Sequence, residues 1–209
     1  MKLKLSGIAA ALAIIATTGV GFAAEPGELK IGTTLENLQA SYNGESNANV
    51  RYLAFAEKAD TEGYKQVAAL FRAAAKAEEI HAKEHAKEIK KLKAEPKTDI
   101  QKPEVKSTKE NLETALKGET YEKNIMYPGF ANKAREEKKA TAVRSLTWAL
   151  AGEIEHAKFF REALDNLEDW KVVQKEFLVC VECGFTTTDT KIKQCPVCFV
   201  PRSKFTTVK

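Results

Sequence analysis

The sequence predicts a mainly α protein: a four-helix bundle with a long crossover between its second and third helices, then a small β-rich module closed by cysteines. Three observations carry this expectation. Alanine-, glutamate- and lysine-rich stretches place apolar residues every three to four positions. The helical part repeats itself: Gly44-Glu45 returns as Gly118-Glu119, 74 residues later, and Glu78 with His81 returns as Glu153 with His156, 75 residues later. All four cysteines stand at or beyond position 180, as two CxxC pairs.

A chain of 209 residues with 44% hydrophobic and 30% charged residues can bury one core and a small appended module. Without Lys2 and Lys4 the balance is 31 basic against 29 acidic residues, which does not argue for nucleic acid as a partner. Those two lysines open a secretory signal. An apolar run from Ile8 to Val20 follows, and small residues around Ala23 place cleavage after it, giving a signal peptide over 1–23. Export to the periplasm is the expectation, and the missing twin arginine suggests that metal loads after translocation. An uncleaved anchor is the alternative, though the apolar run is short for a spanning helix.

The helical body, expected over 32–172, opens at Thr33, with Glu36 three residues on as a capping box. The first helix runs to about Gly63, and its inner stripe holds Leu35, Leu38, Tyr42, Glu45, Asn49, Tyr52 and Ala56. The second runs from Tyr64 to Lys93. Its stripe puts Glu78, His81 and His85 where hydrocarbon belongs, between Phe71 and Ile89. Residues 94–106, with Pro96 and Pro103 among charges, read as the crossover. Ser107 and Glu110 cap the third helix, which lines Glu119 and Glu122 with Leu112, Leu116 and Met126; Tyr127-Pro128-Gly129 should bend or interrupt it. The fourth helix, about Lys139 to Glu168, carries Glu153 and His156 among Leu146, Ala149 and Phe160.

Buried ionisable groups are paired, neutralised or bound to metal, because an isolated buried ion costs several kcal/mol. The inward set is Glu45, Glu78, His81, Glu119, Glu122, Glu153 and His156. Five carboxylates against two divalent cations leave one negative charge, so the set suits a pair of metals, iron or manganese by ligand hardness. A single Glu-x-x-His is commonplace on solvated helices, but two on repeat-related inner stripes are not. His81-Ala82-Lys83-Glu84-His85 also fits an inverted zinc-protease pattern. That reading would leave the other carboxylates unexplained, so His85 is read as a structural histidine one turn beyond the metal.

From 176 to 209 the chain turns short, β-prone and cysteine-bearing. Cys180-x-x-Cys183 and Cys195-x-x-Cys198, separated by eleven residues, describe two knuckles closing a four-thiolate site. Gly184 and Pro196 favour the turns. Such a site holds zinc or one iron, and spacing does not separate them; two disulfides are a third reading, raised by the exported compartment. A module this small needs its metal to fold.

With these motifs assembled, the sequence resembles the rubrerythrins, which join a ferritin-like di-iron domain to a rubredoxin-like domain. The motifs are Gly44-Glu45-Ser46, Glu78-x-x-His81, Glu119-x-x-Glu122, Met126-Tyr127-Pro128, Glu153-x-x-His156, Cys180-x-x-Cys183-Gly184 and Cys195-Pro196-x-Cys198. The resemblance implies two irons in the bundle and one at the cysteines, with hydrogen peroxide reduced to water by electrons relayed through the latter. It implies that Glu78 and Glu153 bridge the metals and that Glu45, Glu119 and His156 are terminal ligands. One iron would move between Glu122 when oxidised and His81 when reduced, with Tyr52 and Tyr127 as hydrogen-bonding partners. It also implies a head-to-tail homodimer. The signal peptide, His85 and Phe199 after the second knuckle depart from the family pattern. Export separates the protein from cytoplasmic NADH, so the expected donor is a c-type cytochrome or another exported carrier. The competing function is iron binding or storage with incidental ferroxidase chemistry, and a zinc-ribbon interaction module on a degenerate bundle is a third.

Overall fold

The structure, a computed structural model, describes residues 29–209; the expected signal segment lies outside them. Helix α1 (Thr34–Thr61) packs lengthwise on α2 (Lys65–Lys91). Helix α3 (Thr108–Tyr121), a π-helical turn (Glu122–Met126) and α4 (Tyr127–Glu136) form one continuous rod beside α5 (Ala140–Asp165). Alanines at 68, 73, 74, 75 and 77 of α2, all fully buried, let the helices approach closely.

Both expected capping boxes form, at Thr33 with Glu36 and at Ser107 with Glu110. The repeat runs deeper than the ligands. Asn37 bonds the backbone of Gly32, and Asn111 bonds that of Lys106, 74 positions on. Glu62, just after α1, accepts from the Thr108 N–H at 2.8 Å, while Glu137, just after α4, accepts from the Thr34 N–H at 3.0 Å. Each half thus caps the first helix of the other, satisfying amides that have no partner within their own helix.

The offset between halves is 74 up to Glu119 and 75 from Tyr127 onward, so one extra residue enters between them. It enters at the π turn, where the Tyr127 N–H reaches back to the Glu122 carbonyl. This corrects the expectation of a break at Tyr127-Pro128-Gly129: Pro128 sits inside the first turn of α4. Proline's ring would crowd the carbonyl four residues back, and the widened turn just before it accommodates that carbonyl without breaking the rod.

Residues 94–106 cross the bundle without regular structure, yet they are tied down. Gln39, Asn43 and Asn47, one helical turn apart on α1, use their amides as a docking strip. Gln39 bonds the Glu95 carbonyl and Lys97 N–H, Asn43 accepts from the Asp99 N–H, and Asn47 bonds the Asp99 carbonyl and Gln101 N–H at 2.9 and 2.7 Å. The crossover's backbone groups therefore find partners without a strand.

Two apolar regions lie on either side of the acidic centre. One is the aromatic group Tyr52, Phe55, Phe71 and Phe160, with centroids 5.3–6.3 Å apart. The other gathers Leu38, Ile89, Tyr127, Phe130 and Leu146. Asn49, expected in the inner stripe, is only half-buried and bonds the Ala75 carbonyl at 2.7 Å.

The C-terminal module is a three-stranded antiparallel sheet, β1 (Phe177–Cys180) between β2 (Thr186–Thr187) and β3 (Phe205–Val208). Its two knuckles match: the Gly184 N–H bonds the Cys180 carbonyl, and the Phe199 N–H bonds the Cys195 carbonyl, at 2.9 and 3.0 Å. Gly184 takes φ +79° and Phe199 takes φ +62°, so the second knuckle holds a left-handed conformation with a bulky residue. The module docks on the bundle through Phe177 against Phe159 and through Gln66, whose amide exchanges two 2.9 Å hydrogen bonds with the Lys175 backbone.

Candidate metal centre

Six of the seven predicted bundle residues converge. Glu45, Glu78, His81 and Glu153 form one group, and Glu78, Glu119, Glu153 and His156 another, each with ligand atoms mutually within 4.8 Å. Glu78 and Glu153 belong to both, the geometry required of bridging carboxylates. All six are buried. Glu122, on the π turn, is half-buried and stands outside both groups.

The imidazoles turn Nδ1 into the carboxylates. His81 Nδ1 lies 2.8 Å from Glu78 and 3.1 Å from Glu153; His156 Nδ1 lies 2.9 Å from Glu153 and 3.1 Å from Glu78. Tyr52 donates to Glu119 and Tyr127 to Glu45, so each half's tyrosine reaches the other half's glutamate. Burial and neighbouring carboxylates raise the pKa values of Glu45, Glu119 and Glu122 well above the ordinary range. Burial opposes a charged His81, but Glu153 and Glu78 outweigh it and push the imidazole up to about 10. Burial likewise opposes the pull of both imidazoles on Glu153, which wins and holds that carboxyl low.

This set fits metal. Glu45 Oε2, Glu78 Oε1, Glu119 Oε2, Glu153 Oε1 and His81 Nε2 are buried with no hydrogen-bond partner. Unsatisfied buried acceptors are costly, and four carboxylate oxygens at one centre are ligand atoms for hard cations. At the other site the four cysteine sulfurs gather with neighbours at 3.5 and 3.6 Å, free of disulfide bonds. Those separations approach the roughly 3.8 Å edge of a tetrahedron with 2.3 Å metal–sulfur bonds.

The two sites meet. Gly184, at the first knuckle, packs on His81 so closely that a Cβ there would overlap Nε2 and Cδ2, while Gly152 of α5 packs on the same ring at Cε1 and Nε2. Thr186 Oγ1 lies 3.2 Å from His156 Nε2. Sequence reading missed Thr186, Gly152 and Ser145, which sits 2.8 Å from His85 Nδ1. Gly152 carried a signal, since a glycine inside a helix costs about 1 kcal/mol and needs a reason. His85 is where the zinc-protease pattern would need a metal ligand, yet its Nε2 faces the Tyr127 hydroxyl at 3.1 Å, so that reading fails.

Comparison with known proteins gives the same picture. The family model described as Rubrerythrin matches residues 36–164. Rubrerythrin-2 of Clostridium acetobutylicum is 36% identical over 180 residues, covering 85% of this chain and 97% of that protein. Nigerythrin of Nitratidesulfovibrio vulgaris is 37% identical over 177 residues, covering 84% and 87%. Among solved structures, fully reduced, all-ferrous nigerythrin superposes with a TM-score of 0.81 at 32% identity, covering 94% of this chain and 100% of that one. The bundle centre is a di-iron carboxylate–histidine site, the knuckle site is rubredoxin-like, and the chain belongs to the rubrerythrin family.

Proposed function

We propose that this protein reduces hydrogen peroxide to water at the bundle centre, with electrons relayed from iron held by Cys180, Cys183, Cys195 and Cys198. The carrying observation is the seam between the two sites: Gly184 rests on His81, and Thr186 reaches His156. A storage function has no need of a thiolate site against its carboxylates.

Peroxide takes up two electrons and two protons to give two waters, and irons held by the six converging residues would supply electrons to it. Glu78 and Glu153, shared between both groups, are the proposed bridges; Glu45, Glu119 and His156 are the proposed terminal ligands. His81 stands within the cluster and Glu122 outside it, which supports the reading that the two alternate at one position. A neutral imidazole suits a ferrous ion, and a carboxylate suits a ferric one. Tyr52 and Tyr127 hold hydrogen bonds on the terminal carboxylates and keep those oxygens oriented. A homodimer is proposed as well, and within this chain the cysteine site lies against the carboxylate site. The electron donor is proposed to be an exported carrier such as a c-type cytochrome. Recovery of soluble protein with an intact Met1 would overturn the export on which that choice rests.

The test is iron content together with anaerobic peroxide turnover of the reduced protein. Three irons per chain with rapid reoxidation support the proposal. Slow reoxidation favours iron storage, and zinc at the cysteines would remove the relay.

A further inference from the structure

The bundle's repeat pairs each tyrosine with the opposite half's glutamate, but the surroundings of the two tyrosines differ. Around Tyr52 stand Phe160, at 5.4 Å between centroids, and the aromatic group that includes Phe71 next to Leu70. At the positions related by the 75-residue offset, Phe160 corresponds to His85 and Leu70 to Ser145. An apolar pair, one residue from each half, thus has a polar pair as its repeat counterpart. Both polar residues are buried and joined to each other: Ser145 Oγ to His85 Nδ1 at 2.8 Å, His85 Nε2 to Tyr127 Oη at 3.1 Å, and Tyr127 to Glu45.

Donor counting orients this chain. Glu45 as an ionised ligand only accepts, so the single Tyr127 hydroxyl hydrogen points at it. The Tyr127 oxygen must then accept from His85, which fixes the hydrogen on Nε2 and leaves Nδ1 to accept from the Ser145 hydroxyl. Burial holds the imidazole down to about 3, in keeping with one ring hydrogen. Every hydroxyl and ring hydrogen along the chain points toward the metal centre.

We propose that His85, oriented by Ser145, is a positioning residue that commits the Tyr127 hydrogen to Glu45 and so makes the two terminal carboxylates inequivalent. At the other half, Tyr52 donates to Glu119 with the Arg51 guanidinium over its ring, 5.5 Å from the centroid, and no histidine stands behind its hydroxyl. The proposal rests on the peroxidase reading for its kinetic readout alone, because the hydrogen positions can be read without turnover.

With only three histidines in the chain, nitrogen-15 histidine spectra of protein loaded with diamagnetic zinc resolve each ring. His85 should be neutral with hydrogen on Nε2, and Ser145→Ala should shift its Nδ1 signal. Hydrogen on Nδ1 in the wild type would overturn the proposal. In iron-loaded protein, His85→Phe with Ser145→Leu copies the repeat-related apolar pair Phe160 and Leu70. It should keep its iron while peroxide turnover falls at least fivefold and its solvent isotope effect changes. His85→Gln, which keeps a donor toward Tyr127, should restore part of the rate and serves as the single variant if the double one does not fold. Turnover and isotope effect within twofold of wild type in the folded double variant would refute the role. If wild-type protein shows no peroxide turnover, the peroxidase reading fails and the tautomer result stands by itself.

Discussion

Replacing Gly152 with alanine opposes two effects of known size. Gly152 lies inside α5, where alanine is favoured over glycine by about 1 kcal/mol. Its new methyl would stand 2.5 Å from His81 Cε1 and 2.8 Å from Nε2, against a normal carbon contact of about 3.5–4 Å. The ring must therefore shift by roughly 1 Å. It has nowhere easy to go: Gly184 stands against Nε2 and Cδ2, and Nδ1 is hydrogen-bonded to Glu78 at 2.8 Å. Losing one such charge-assisted bond costs about 1.5–3 kcal/mol. The net expectation is a loss of about 0.5–2 kcal/mol, or a melting temperature lower by about 1–8 °C. Gly118 is the matched control, since it is also helical and a Cβ there meets nothing within 4 Å. Gly118→Ala should raise the melting temperature by about 2–4 °C. Both are read by circular dichroism on metal-free protein, with iron binding measured alongside. If Gly152→Ala is as stabilising as Gly118→Ala and binds iron unchanged, His81 does not pack between these two glycines.

Three further outcomes are expected. Thr108, by side chain and backbone N–H, holds Glu62 down to about 2, so its contribution is complete above the ordinary pKa of 4.5 and is lost as pH falls through 2. Glu62→Ala should cost about 1 kcal/mol at neutral pH, as loss of a cap does, and the gap to wild type should close in acid melts; a gap constant from pH 7 to 2 would refute the ionised cap. Glu122→Ala should retain near-normal iron content because Glu122 stands outside both ligand groups, while peroxide turnover falls at least tenfold by the general scale of lost ionic partners; an unchanged rate would remove its role. Cys195→Ser should abolish metal at the knuckles and leave 177–209 open to proteolysis, with the bundle's helical signal intact; a protected module would show that the metal is dispensable to its fold.

The helices, capping boxes, crossover and both ligand sets were legible because each rests on local spacing: a 3.6-residue stripe, a three-residue cap, a CxxC turn. What was not legible depends on partners far apart in sequence. The Gln39, Asn43 and Asn47 strip reads as ordinary polar surface until the crossover lies on it. Thr186 is an unremarkable β residue until its strand meets His156. Glu62 and Glu137 gave no local sign of capping the opposite half. One signal was present without its meaning: the offset rises from 74 to 75 between Glu119 and Tyr127, and only the π turn explains the added residue.

That added residue bears on how the centre works. Under a perfect repeat each half would supply one glutamate, one Glu-x-x-His and one tyrosine, giving two equivalent metal positions. Such a pair binds metal well but gives neither ion a reason to behave differently from its neighbour. Two departures break the equivalence. The π turn places Glu122, which has no acidic counterpart in the first half, beside the centre, and it leaves His81 inside the cluster while Glu122 remains outside. At the tyrosines, Ser145 and His85 replace the apolar Leu70 and Phe160, so a histidine backs the Tyr127 hydroxyl whereas Tyr52 has Phe160 and the Arg51 guanidinium against its ring. The knuckle adds a third, touching His81 through Gly184 and His156 through Thr186, one ring by contact and the other by hydrogen bond. The symmetric part of the bundle therefore accounts for binding two metals, and its asymmetric part is what the proposed exchange of one metal between His81 and Glu122 would use. Filling His81's space from Gly152 acts on the second property while leaving the shared carboxylates in place, which is why that one methyl group separates the two.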